Sequence, residues 1–524
     1  MSVYKKVGLA SLIMMASVLL SRVIGLLREM VIAFIGGAGG EVDAYQVAFV
    51  IPEILNHILA SGFLSVTFIP IFSRYLAEDR EAEGWRVFSL ILTGFGTVLL
   101  LFILLASVFT PLLIDLIAPG LEDPATRAAA VRMTRIIMPA QFFFFTGGLL
   151  MAVQFAKEQF AIPALAPLLY NLGIIAGGLV LGPALGMEGF SWGVLAGAFA
   201  GNFVVQLWGA KKAGMKFYLL FDFRHPDLKK YVLLSLPLML GLTMTFSTEF
   251  FLKFFGSYLP TGSIASLNYG MRIMFILVGF FGQAVGVASF PYMARMVAEN
   301  RLAEMNDLLN TTLRYLSLVM PFSALIMVLR HEVVLILFQR GRFDEAATAL
   351  TARVLLWLMT GTIAFAAQTV VVRGYYAMQD TLFPAIFGTA GVILSIPLYG
   401  YGMQKMGVNG VALAISVSAI LQVMMLYILW NRRTRNSGSR AVYRFMAKIA
   451  LISAGIGILL AYTRQALLLS LPGLPALTGS LVICLLVGII FLMLLLAAGY
   501  FLRIKELSEM ADKIKGRLRR KKQT

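Results

Sequence analysis

Ser21-Arg22-Val23-Ile24-Gly25-Leu26-Leu27-Arg28-Glu29 lies in the middle of an apolar segment running from about Val7 to Ile35. A helix crossing a bilayer needs about 20 apolar residues, so this segment can span and three ionisable side chains then sit at membrane depth. A centrally placed charge costs about 2.5–3.5 kcal/mol on insertion scales. A helix does not carry that cost three times facing lipid, so the charges must face other helices or a water-filled cavity. At about 100° per residue, Arg22 and Glu29 fall two turns apart on one face with Gly25 between them, and Arg28 is rotated by about 120° from Arg22. For both arginines to line one cavity, either the helix bends, with Gly25 as the bend point, or the cavity wraps around it. The competing reading is that these charges only pair within a bundle. Two arginines against one glutamate leave positive charge over, which favours the cavity.

The rest of the chain agrees with a membrane reading. Its 524 residues are 59% hydrophobic and 13% charged, with mean hydropathy +0.85; a soluble protein carries about 25% charged residues. The class expected is an all-α polytopic membrane protein without a large soluble domain. The net charge of +18 does not imply nucleic acid, because Lys and Arg collect in cytoplasmic loops and meet anionic lipid. Cys484 is the only cysteine, and His57, His225 and His331 show no ligand spacing, so neither a metal site nor a cofactor is expected. The N-terminus lacks a small-residue cleavage site and reads as a retained first helix. No nucleophile–base set or phosphate-binding glycine loop is present, so catalytic residues are not expected and the chain does not read as an enzyme.

About fourteen spans are expected. Basic residues follow spans two, six, eight and twelve, precede span one and fill the tail after span fourteen, which puts both termini in the cytoplasm. The loop holding Arg340 and Arg342 is an exception on the opposite side. Ile69-Pro70-Ile71-Phe72-Ser73-Arg74 resembles Phe290-Pro291-Tyr292-Met293-Ala294-Arg295, and Ala77-Glu78, Pro163-Ala164 and Gly189 match Ala298-Glu299, Pro384-Ala385 and Gly410, each pair 221 residues apart. One offset at separate places argues for duplication of a six-helix unit. The expected organisation is an N-terminal lobe over 1–220, a C-terminal lobe over 221–437, two extra helices within 438–502 and a basic tail over 503–524. Transporters built from parallel repeats bind substrate near the midplane between the halves.

Span eight, 263–294, carries a polar stripe: Asn268, Arg272, Gly279, Gly282, Gln283 and Gly286 recur on one helix face. The glycines read as close-packing positions; Arg272 needs a partner or an anion. Asp43, Asn56 and His57 lie at membrane depth in span two, with Ser61 one turn beyond. Glu249 and Lys253 can pair at i,i+4, and Arg373 can snorkel to the cytoplasmic interface. Arg22, Arg28 and Arg272 come from the first two helices of each repeat and would face one central cavity. Guanidinium forks match phosphate oxygens in pairs, so the substrate expected is an anion, most simply a phosphate or pyrophosphate. In the tail, Ile504, Leu507, Ala511, Ile514 and Leu518 form an apolar stripe opposite Lys and Arg, which would rest on anionic lipid.

Several stretches resemble the MurJ/MviN family of lipid II flippases within the wider MOP superfamily: Ser21-Arg22-Val23-Ile24-Gly25 with Arg28-Glu29, Asp43-Ala44-Tyr45, Phe68-Ile69-Pro70, Ala118-Pro119-Gly120, Phe160 to Pro167 with Asn171, Phe338 to Phe343, and Gly374 to Thr381 with Pro384. The resemblance implies export of undecaprenyl-diphosphate-linked peptidoglycan precursor, lipid II, across the bacterial inner membrane by alternating access. It implies that Arg22, Arg28 and Arg272 meet the diphosphate, with Asp43 nearby, and that spans thirteen and fourteen form a groove for the polyprenyl tail. Glu29, Asn56, His57 and Asn268 complete the expected substrate-binding set. The sequence departs from the family at Asn56-His57 and Ser61, where an arginine pair and a glutamate are usual, and residues 385–402 lack the Asp and Asn of a sodium site. The driving force is left open between a coupling ion and the membrane potential. The alternatives are a flippase for another polyprenyl-diphosphate glycan (an O-antigen or capsule unit), a cation-coupled drug antiporter, and a non-transporting scaffold.

Overall fold

In hydrocarbon every backbone N–H and C=O must be satisfied within the protein, which leaves helices or closed barrels. In the computed structural model, which describes residues 3–59, 67–222, 224–240, 243–470, 473–502, 504 and 506, every regular element among the described residues is a helix. Ten helices are long and apolar enough to cross a membrane, or eleven when the bent pair Glu345–Met359 and Thr362–Ala377 counts as one span. All eleven fall on expected spans. The structure therefore counts ten to eleven where the sequence suggests fourteen: the expected spans two and seven include residues outside the described set, and span one, a single helix Val3–Gly36 that carries Arg22, Arg28 and Glu29, is not among those counted. Ser61 and the tail residues Leu507, Ala511, Ile514 and Leu518 also lie outside it. Helix Val3–Gly36 runs unbroken through Gly25, so the bend considered there does not interrupt its hydrogen bonding.

Duplication is written in the backbone. Outside glycine, left-handed residues are rare because Cβ crowds the following carbonyl. Here Asp79 and Asn300, Glu158 and Gln379, Gly186 and Gly407, and Gly214 and Arg435 all have positive φ, and the members of each pair are 221 residues apart. At three of these pairs the helix ends in the same six-to-one hydrogen bond: Arg80 N–H to Tyr75 O (2.9 Å) repeats as Arg301 to Met296 (2.8 Å), Gln159 to Gln154 (2.8 Å) as Asp380 to Tyr375 (3.1 Å), and Met215 to Ala210 (2.9 Å) as Asn436 to Asn431 (3.0 Å). This is the bond that satisfies orphan carbonyls at a helix end. Side chains repeat too, since Arg80 pairs with Glu78 and Glu83, and Arg301 with Glu299 and Glu304.

The chain forms two compact units. The first comprises Met1–Ser266 with Arg340–Ala347. The unit holds two reciprocal loop contacts, the second of which ties the small excursion to it. The Gly120 N–H donates to Ser257 Oγ (3.0 Å), and a Cβ at Gly120 would lie 2.5 Å from the Tyr258 backbone N. The Arg342 N–H donates to Phe34 O (2.9 Å), and a Cβ at Gly341 would lie 2.3 Å from that oxygen. Residues 120 and 341 are again 221 apart, so each repeat's loop grips the end of the other repeat's first helix at a glycine that lets backbones touch. Elsewhere in this unit Lys253 pairs with Glu249, as its spacing suggested.

Just before the seventh expected span, Asp227 accepts from Arg74 Nη2 (2.9 Å) and from the Tyr75 hydroxyl (2.5 Å). Burial pushes the Asp227 carboxyl up, but the Tyr75 hydroxyl and the Arg74 guanidinium outweigh it and hold the group below its ordinary value of 3.8. A depressed carboxylate stabilises the fold above its unfolded pKa and loses that contribution as pH falls through the folded value. Asp227→Asn is thus expected to cost about 1–2 kcal/mol at neutral pH, the scale of one charged hydrogen bond with an exposed partner. In thermal melts of the two proteins, the gap should be constant from pH 5 to 8 and close below about pH 4.

The second unit comprises Leu267–Gln339 with Thr348–Thr524. Its span ten is bent by 46° between Met359 and Thr362. The carbonyls at the break find a donor, since Ser416 Oγ lies 2.9 Å from Trp357 O and 3.1 Å from Leu358 O. A break filled by a side chain is an ordinary cause of a kink. Asn306 accepts from Trp430 Nε1 (2.9 Å), and Asn310 accepts from Tyr427 Oη (2.7 Å) and Asn436 Nδ2 (2.9 Å), closing a buried amide network. Helices Ser439–Ser470 and Ala476–Phe501 are only 22% buried over their most apolar windows. Ile456, Leu460, Ile483, Val487, Phe491 and Leu495 pack with Val328 and Leu329 in one apolar cluster. Ile504 is buried against Leu318 and Ile449, so this residue of the tail stripe faces protein.

Candidate substrate-binding residues

The first unit holds Arg22, Arg28, Glu29, Asp43, Asn56 and His57; the second holds Asn268 and Arg272. On helix Val3–Gly36, Arg22 is exposed while Glu29, on the same expected face, is buried. The acid is taken by the neighbouring arginine. Arg28 Nη2 donates to Glu29 Oε1 (2.5 Å) and Nη1 donates to Asn171 Oδ1 (3.0 Å), while Arg28 Nε is buried with no hydrogen-bond partner. The Arg28 side chain is 19% exposed and that of Glu29 4%. Part of the span-one charge is therefore paired locally, as the competing reading held, and one donor of Arg28 remains unspent.

Asn171 is the residue that the charge-based reading passed over. It sits on helix Ala166–Leu185, within one of the stretches that carried the resemblance, and its Nδ2 donates to Pro167 O (2.9 Å) and Ser21 Oγ (3.4 Å). Ser17 Oγ donates to Ala164 O (2.5 Å) two turns earlier, so the two helices are pinned side by side. An amide at membrane depth, one turn past a proline, was the available signal. With its own donors anchored, Asn171 fixes the direction in which Arg28 points.

Asp43 does different work. Its Oδ2 accepts the Gly262 N–H (2.6 Å) and its Oδ1 accepts the Ala265 N–H (2.7 Å). Those amides open helix Ser263–Val278, the helix that carries Asn268 and Arg272. The first amides of a helix have no intrahelical acceptor, and a carboxylate at that end also meets the positive pole of the helix dipole. Asp43 thus caps span eight from span two. Asn268 is buried and Arg272 half-buried at i,i+4 on that helix. Asn56 and His57 are half-buried on helix Val50–Leu59, with the His57 ring edge-on to Phe246 at 6.0 Å. Among the described residues no group of three or more His, Cys, Asp or Glu could hold a metal.

The model of the family described as "Lipid II flippase MurJ" matches residues 32–475, most of the chain. The chain belongs to the MurJ lipid II flippase family. The MurJ match takes in Asp43, Asn56, His57, Asn268 and Arg272; Arg22, Arg28 and Glu29 precede it. The chain is 29% identical to the lipid II flippase MurJ of Burkholderia cenocepacia over 454 residues, covering 84% of this chain and 87% of that protein. It is 27% identical to the probable lipid II flippase MurJ of Vibrio cholerae, covering 86% and 88%. Among solved structures, a lipid II flippase MurJ in an inward closed conformation matches with TM-score 0.74 at 23% identity, covering 94% of this chain and 99% of that one. An inward-facing MATE multidrug transporter of the MOP superfamily matches with TM-score 0.61 at 15% identity, covering 80% and 96%. At those identities the two structures speak for the fold alone. The MurJ-family chain is a multi-pass membrane transporter and not an enzyme.

Proposed function

We propose that this chain flips lipid II from the cytoplasmic to the periplasmic leaflet of the bacterial inner membrane by alternating access. The observation that carries the reading is membership of the MurJ family over residues 32–475. The membrane-depth arginines give it a chemistry. Arg28 and Arg272 take the diphosphate, with Arg22, exposed at mid-span, as a further donor. In the absence of substrate, Glu29 neutralises Arg28 and keeps a bare charge out of the membrane interior. Substrate phosphate replaces Glu29 as the acceptor on that guanidinium, and the unspent Arg28 Nε donor becomes available to it. Asn56 and His57 supply hydrogen-bonding groups at the positions where the family resemblance implies an arginine pair. Asn268 positions Arg272.

In this account the repeats 1–220 and 221–437 are the moving lobes. Spans thirteen and fourteen, within 438–502, take the polyprenyl tail along their apolar, weakly buried faces. Both termini face the cytoplasm, and the basic tail 503–524 meets anionic lipid. A coupling ion or the membrane potential drives the cycle. The test is replacement. The native lipid II flippase of a bacterial host is depleted, this chain is expressed, and lipid II reachable by an external, membrane-impermeant probe is quantified. Restored exposure is expected. No exposure from a well-inserted protein would move the assignment to another polyprenyl-linked glycan.

A further inference from the structure

Arg373 lies in helix Thr362–Ala377, four residues before its end. An arginine there would ordinarily extend its guanidinium toward the interface. The structure shows otherwise: the side chain turns across to span eight, and its Nη1 is buried with no hydrogen-bond partner. A Cβ added at Gly286 would lie 2.1 Å from that nitrogen, so the glycine is what makes room for it. Among the described residues no carboxylate pairs with Arg373. The neighbouring acceptors are engaged: Ser289 Oγ donates to Gly286 O (3.2 Å), and Thr369 Oγ1 to Gly282 O (3.1 Å). Gly282 O comes from the π-helical segment Gly279–Gln283, whose wider turn frees carbonyls from the helix ladder. Gly282 itself packs on Ala366, where a Cβ would come within 2.8 Å of Cα.

A guanidinium held against a neighbouring helix without a counter-charge is costly in this setting unless an anion visits it. We infer that Arg373, seated against Gly286, is a binding residue for a phosphate oxyanion. Its planar donor fork suits two phosphate oxygens at once. Two sources share this chemistry: the diphosphate of a polyprenyl-linked substrate and the phosphate of a bilayer lipid. The first deepens the flippase reading and rests on it; the second stands without it.

The test is lipid retention on the full-length, detergent-purified chain by native mass spectrometry, with undecaprenyl diphosphate and phosphatidylglycerol as separate probes. Arg373→Gln is expected to weaken retention of one probe about tenfold, the scale of one charge-assisted hydrogen bond. Arg373→Lys should recover part of it. Loss of undecaprenyl diphosphate names the substrate as the source, and loss of phosphatidylglycerol names the bilayer. Should Arg373→Gln fail to give a monodisperse protein, Gly286→Ala keeps the charge, fills its seat and is expected to show the same loss. Unchanged retention of both probes would overturn the inference. If that result accompanied a loss in Arg272→Gln, the flippase reading would survive alone.

Discussion

Arg28→Ala and Arg272→Ala each reduce lipid II translocation to background while the protein still inserts. Each removes a guanidinium from membrane depth, and hydrogen bonds to charged groups contribute about 1.5–3 kcal/mol apiece. A diphosphate that loses two or three of them is held about a hundredfold more weakly or worse. The Arg28 variant has a second consequence. Glu29 is buried, and breaking a buried pair by removing one partner costs about 3–5 kcal/mol. The double variant Arg28→Ala with Glu29→Gln separates the two effects, because it removes both charges of the pair together. Thermal stability should return toward that of the parent, whereas transport should stay at background. Recovery of transport in the double variant would mean that Arg28 serves only to neutralise Glu29.

Asp43→Ala should cost about 2–6 kcal/mol, because the Gly262 and Ala265 amides each lose their acceptor at about 1–3 kcal/mol per buried donor. A lower melting temperature and loss of transport are expected. Substrate affinity distinguishes this role from direct contact. Below its melting temperature, the Asp43→Ala protein should retain undecaprenyl diphosphate within a few-fold of the parent, while Arg272→Ala should not. Asp43→Asn offers an amide group where an acceptor is required and is expected to fall between the two. An affinity loss in Asp43→Ala matching that of Arg272→Ala would place Asp43 on the substrate instead.

The helical class was legible because hydropathy is a property of the chain itself. The duplication was legible at Pro70/Pro291 and Gly189/Gly410, where the same residue recurs; at the glycine pair a Cβ would run into neighbouring backbone both times. It was hidden at Asp79/Asn300, Glu158/Gln379 and Gly214/Arg435, where only a left-handed backbone is repeated and different residues adopt it. Helical periodicity placed Glu29 on the face of Arg22, since adjacent residues point about 100° apart. The Arg28 side chain is long enough to turn back on its neighbour, which periodicity does not register. The caps supplied by Asp43 cross 219 and 222 residues, and nothing local announces them. For Arg373 the expected course was toward the interface; what redirects it is the gap at Gly286, visible only once spans eight and ten are packed together.

The most direct measurement is translocation by the purified chain. Fluorescent lipid II is placed in proteoliposomes, and its appearance in the outer leaflet is followed with a membrane-impermeant quencher. Accelerated appearance is expected with the parent chain, and none above protein-free vesicles with Arg272→Ala. Equal rates for the two proteins, or no acceleration by the parent under an imposed ion gradient or membrane potential, would contradict that expectation.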